Sequence, residues 1–145
     1  MQLNDYNKKA IYDVYKNASI ALNSLNDLLP SVDDKVIKEE LKDQYDGYEK
    51  IVGEISSFMA ECGIQAKEIN PIKKAMLWSS IKMKTMIDSS RNQIAEMMIK
   101  GTVTGINELT AMKNEKENLT DEVYDYVVRL LEMEEDYQER LKKFL

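Results

Sequence analysis

The chain has 145 residues, 43% hydrophobic and 32% charged, with 20 Lys and Arg against 26 Asp and Glu for a net charge of −6. That length fits one domain, the acidic balance argues against the clustered Lys and Arg that phosphate binding needs, and the lack of any histidine excludes His triads and His-liganded metal sites. No segment reaches the roughly 20 apolar residues of a membrane span, the start MQLNDYNKK lacks the order of a signal peptide, and the lone Cys62 has no intrachain partner, so we expect a cytoplasmic protein with no nucleic-acid and no membrane partner.

Five Gly, two Pro and no sustained alternation of apolar and polar residues point to an all-α chain. The first predicted helix, about 3–28, carries Ile11, Val14, Ala18, Leu22, Leu25 and Leu28 at three-and-four spacing and stops at Pro30, which cannot donate an interior helical hydrogen bond. Ser31 or Asp33 then caps a second helix, about 33–62, with a seam of Leu41, Tyr45, Tyr48, Val52, Ile55, Met59 and Cys62 that ends at Gly63. Asn70 followed by Pro71 is a strong start signal for the next segment. Run unbroken from 71 to 116, that segment would be about 68 Å long at ~1.5 Å per residue, so it should break at MIDSS (86–90) or at KGTVTG (100–105).

Asp88, Ser89 and Ser90 are capping residues, and we place the break there. This yields a crossover helix over 71–87 and a further helix over 90–116 with an inner stripe of Ile94, Met98, Gly101, Gly105, Leu109 and Met112. Thr120 caps the last helix, 121–144, with Asp121 and Glu122 facing its dipole. Short turns join the first pair and the last pair, whereas 63–88 can run the length of a bundle. We therefore expect one domain with the order up, down, down, up, the alternative being a simple up-down-up-down bundle.

The last helix repeats Val127, Leu130, Glu134, Tyr137, Leu141 and Phe144 at helical spacing, so a carboxylate stands on an apolar stripe. Counting from the turns sets Glu134 opposite Thr102 and Gly101, near Asp46 on the second helix and near Tyr15 on the first. The expected middle layer is an interior polar cluster of Tyr15, Tyr45, Tyr48, Glu134 and Tyr137, in which Tyr hydroxyls satisfy the carboxylate. The remaining acidic runs, EMEED and NEKEN, read as solvated helix faces.

This architecture resembles the ferritin-like superfamily, which includes rubrerythrins, ferritins and di-iron carboxylate proteins, over nearly the whole chain. The ending EDYQERLKKFL is similar to the family's last helix, with Glu134 and Tyr137 where Glu and His would stand. MIDSSRNQIAEMMIKGTVTGINEL resembles a stretch of uncharacterised ferritin-like proteins of clostridia and relatives. The resemblance implies a mid-bundle metal pair held by Glu residues and Glu-x-x-His pairs. Here Tyr45 and Tyr48 occupy the matching spacing on the second helix, Gly101 stands near the third-helix Glu, and the first helix offers Val14, Tyr15, Asn17 or Ala18. The resemblance thus carries the fold and withdraws the di-iron ligands.

No Ser-based or Cys-based triad is present, and GTVTG lacks the Lys of a phosphate loop, so we expect no enzyme, no catalytic residue and no cofactor. The expected role is association, as a homodimer or with a second protein, through the crossover helix with Ile72, Met76, Met83 and Met86 on one stripe. The alternative is an iron or manganese protein with an all-oxygen site of Glu134 and Glu49, Asp46 or Glu96.

Overall fold

The computed structural model describes residues 2–66 and 90–145, and among these residues there are four α-helices and no strand. They are α1 (Asp5–Leu28), α2 (Lys35–Glu61), α3 (Arg91–Lys113) and α4 (Asp121–Lys142). The crossover helix expected over 71–87, with Ile72, Met76, Met83 and Met86, lies outside the described residues. None of the described helices is long and apolar enough to cross a membrane.

Three of the four helices begin where a polar side chain accepts an unpaired backbone N–H. Asn4 accepts from the Asn7 amide at 2.9 Å, and Thr120 from Val123 at 3.3 Å. On α2 the cap is Asp34, which accepts from Val36 and Ile37 at 3.0 and 3.1 Å, rather than Ser31 or Asp33. The displacement arises because the chain first makes a 3-10 turn over Leu29–Ser31, with Pro30 inside it. The Ile37 amide holds the Asp34 carboxyl below its ordinary value; burial opposes this, and Arg91 and the Val36 amide add to the lowering.

The end of α2 closes through Gly63, whose φ of 72° is the left-handed conformation that favours glycine. Ile64 N–H then reaches Met59 O at 2.8 Å and Gly63 N–H reaches Ala60 O at 3.1 Å, satisfying two terminal carbonyls. On α3 the backbone of Ser90 is extended, and the helix runs unbroken through Gly101 and Gly105. The glycine pair is therefore not the break. This helix stops at Lys113, so NEKEN is an exposed turn with a 3-10 segment over Lys116–Asn118, not a helix face.

The apolar stripes meet in one core. Ile11, Val14 and Leu25 from α1 face Ile37, Leu41 and Ile55 from α2, together with Ile94 and Leu109 from α3 and Val127, Leu130 and Leu141 from α4, all fully buried or nearly so. Each such side chain contributes about 1.5–3 kcal/mol relative to exposure, which outweighs the modest intrinsic preference of the helices. On α2 the buried stripe is Leu41, Gln44, Tyr48, Ile51 and Ile55. Tyr45 and Val52, expected in the seam, are half-buried at its edge.

Polar contacts fix which helix ends meet. Buried Asn7 donates to Asn118 O at 3.1 Å and accepts from the Thr120 amide at 2.9 Å, tying the start of α1 to the turn between α3 and α4. Arg91 at the start of α3 pairs with Asp34 at the start of α2 at 3.1 Å. Near the end of α4, Arg140 bonds Glu40 and Asp43 in the first half of α2 and lies over the Tyr137 ring at 5.2 Å.

Candidate functional site

Glu134 sits on the inward face of α4, between Leu130 and Tyr137 in the stripe, and only 2% of it is exposed. A buried carboxyl must be neutralised, paired or hydrogen-bonded. One oxygen is satisfied, since Tyr48 on α2 donates its hydroxyl to Glu134 Oε2 at 3.0 Å. Tyr137, one helical turn along α4, packs its ring edge-on against Tyr48 with centroids 5.5 Å apart, holding the donor in place.

The other oxygen, Oε1, is buried without a hydrogen-bond partner in the protein. It points toward Gly105 on α3, where a Cβ would come within 3.1 Å of Oε1, 3.1 Å of Asn17 Nδ2 and 3.3 Å of Asn17 Oδ1. Asn17 on α1 is fixed by donating Nδ2 to Gly105 O at 3.1 Å. The space left beside the glycine belongs to a cavity of about 60 Å³ between α1, α3 and α4, lined by Asn17, Ile20, Ala21, Thr102, Glu108 and Glu134 among others.

Burial pushes the Glu134 carboxyl up from 4.5 to about 8; the Tyr48 hydroxyl opposes this by stabilising the anion, and the Glu108 carboxylate adds to the rise. The Tyr48 hydroxyl is pushed well above its ordinary value, first by burial and then by Glu134. Tyr137 is raised to about 12, mainly by burial. At neutral pH the site is therefore a protonated carboxyl that accepts from one phenol, not a carboxylate facing a cation.

Of the expected cluster, Tyr48, Glu134 and Tyr137 come together. Tyr45 is half-buried at the edge of α2, and Tyr15, also half-buried, lies beside Tyr12 with centroids 6.4 Å apart. No hydrogen bond links either of them to Glu134. Gly101 and Thr102 line the cavity with Glu134, as counting places them; the members that counting did not select are Gly105, one turn further along α3, and Asn17, one of four first-helix residues considered. A polar residue on an otherwise apolar face, two positions after Tyr15, was the available signal for Asn17.

The carboxylates proposed to complete an all-oxygen site do not gather there. Asp46 and Glu49 line an outward groove with Glu54, Phe58, Glu61 and Tyr126, and Glu96 pairs with Lys100 at 3.1 Å. Among the described residues no group of three Asp, Glu, Cys or His could hold a metal ion. The iron pair that a ferritin-like bundle implies needs several anionic or imidazole donors on each ion, and one carboxyl with a phenol and an amide does not fit it. Fold and site thus define, among the described residues, a helical protein with a buried, Tyr-paired carboxyl. No protein-family model, curated protein or solved structure matches it.

Proposed function

We propose that the chain is a ferritin-like four-helix bundle without a di-metal centre, a cytoplasmic protein that acts non-catalytically by association with itself, as a homodimer, or with a second protein. The order up, down, down, up is supported by the end contacts. Arg91 with Asp34 favours α2 and α3 starting together, and Asn7 with Asn118 favours α1 starting where α3 ends. The long connection between α2 and α3 allows that parallel pair.

The observation that carries the non-catalytic reading is the Tyr48–Glu134 pair. Where a ferritin-like bundle would gather metal ligands, a neutral acid accepts from a phenol, and the second carboxylate of its cavity, Glu108, is on the exposed side. The association part rests on the sequence of 71–87, whose Met stripe supplies adaptable apolar contacts.

Two measurements test this reading. Elemental analysis of protein from cells supplemented with iron and manganese should find far less than one metal per chain. A stoichiometric metal lost in Glu134→Ala would overturn the metal-free reading. Sedimentation should show a dimer that Met83→Asp weakens more than it destabilises the fold. A monomer at high micromolar concentration, eluting free of any second protein on gentle purification, would overturn the association reading.

A further inference from the structure

Glu134 is among the residues lining the 60 Å³ cavity, although only 2% of it is exposed. Thr104 and Glu108, both exposed, form the rim, while Asn17, Ala21, Thr102 and Glu134 are buried. Glu134 Oε1 is buried with no hydrogen-bond partner in the protein, and Glu134 lines the cavity. The walls fall into two parts. Ile20 and Ala21 are apolar, whereas Glu134, the Asn17 amide and Glu108 carry acceptor oxygens. Among the described residues lining the cavity there is no Lys or Arg.

An occupant must therefore be small, donate hydrogen bonds, tolerate or carry positive charge, and present some apolar surface. A buried water needs about 10–15 Å³ of such space, so 60 Å³ admits a few waters or a small organic head group. A divalent ion fails this test, since it requires about six oxygen ligands and two of the walls are hydrocarbon.

We propose that this cavity is a binding site for the head group of a small primary amine, its ammonium donating to Glu134 Oε1 and Asn17 Oδ1 and its first carbon resting on Ile20 and Ala21. A longer alkyl chain leaves past Thr104 and Glu108. On binding, the Glu134 proton goes to solvent and the carboxylate so formed pairs with the ammonium, while the Tyr48 hydroxyl continues to donate to Oε2. The groups facing Glu134 fit this exchange. Tyr48 from α2 favours the anion, Glu108 from α3 favours a bound cation, and the α1 residues in the cavity, Asn17, Ile20 and Ala21, do not titrate. Tyr137, on the same helix, stays protonated. The inference does not depend on the association reading.

The test uses the full chain and methylammonium chloride as probe, with tetramethylammonium chloride and sodium chloride at the same ionic strength as controls. Methylammonium should raise the Tm saturably in the millimolar range, and calorimetry at pH 7 in buffers of different ionisation enthalpy should show release of most of a proton per site. Tetramethylammonium, which has no N–H, should do neither. Glu134→Gln should abolish the response, Gly105→Ala should block it by filling the space between Asn17 and Glu134, and Glu108→Gln should weaken it severalfold. Should Gly105→Ala fail to fold, saturable shifts of the Asn17 side-chain amide on methylammonium addition to wild type replace that arm. Equal effects of the two ammonium ions, a saturable response that survives Glu134→Gln, or no saturable response, as for a cavity holding water only, would overturn the proposal.

Discussion

The most informative perturbation is Glu134→Gln followed across pH. Glutamine keeps the shape of the protonated acid and still accepts the Tyr48 hydroxyl, so it removes titration and little else. Because the folded-state value of Glu134 is raised from 4.5 to about 8, the native chain holds a proton there that the unfolded chain has released over that interval. The contribution of Glu134 to stability is thus fully present below about pH 4.5, declines as pH rises and is lost above about pH 8. At ~1.4 kcal/mol for each pH unit over which the states differ by one proton, the full decline is on the order of 5 kcal/mol, an upper bound if water enters the cavity. Urea melts of wild type and variant at pH 5, 7 and 9 provide the difference curve, in which the remaining carboxylates cancel. Tyr48 and Tyr137 do not titrate in this window, since burial raises both. The variant should match wild type within about 1 kcal/mol at pH 5 and exceed it by several kcal/mol at pH 9. A difference that is flat with pH would mean that Glu134 is ionised in the native state, and the argument from burial would be wrong.

Other substitutions separate the remaining contributions. At neutral pH, Glu134→Leu should lie within about 1.5 kcal/mol of wild type, because relief from burying the acid offsets the acceptor lost to Tyr48, whereas Glu134→Ala leaves a cavity and should be worse by about 2 kcal/mol or more, both read from urea melts. In the interior of α2, a Cβ at Gly47 would land on the Tyr137 hydroxyl, so Gly47→Ala should cost about 1–3 kcal/mol; at Gly53 nothing lies within 4 Å, so Gly53→Ala should gain about 0.5–1 kcal/mol. Asn7→Ala breaks the tie from α1 to the Thr120 amide and Asn118 carbonyl, and thermal melts should show a loss of about 2–3 kcal/mol with α1 amides exchanging faster at that end.

The helices and the inward position of Glu134 were legible because three-and-four spacing directly encodes a buried face. The glycine that the Glu134 carboxyl meets lies one turn from the counted level for a physical reason. Helical side chains lean toward the N-terminus of their own helix, so the Glu134 carboxyl reaches back toward the turn between α3 and α4 and meets Gly105 rather than Gly101. Glycine, with no side chain, leaves no mark in a pattern of apolar residues.

The expected seam ran through Tyr45 and did not include Gln44, whose amide reads as a surface residue. Gln44 is nevertheless buried, since its Nε2 donates to Glu40 at 3.1 Å and Glu40 is itself held by Arg140. Asn7 was overlooked for the same reason: a polar side chain enters the core when partners distant in the chain satisfy it. Those partners are fixed by packing, which periodicity does not contain.

The most direct test of the central claim, that Glu134 is a neutral, Tyr-paired acid at neutral pH, is titration of its side-chain carboxyl carbon by NMR in metal-free protein, assigned by loss of the signal in Glu134→Gln. The account predicts a midpoint near 8 and a single step. A midpoint in the ordinary range for glutamate, about 4.3, would contradict it.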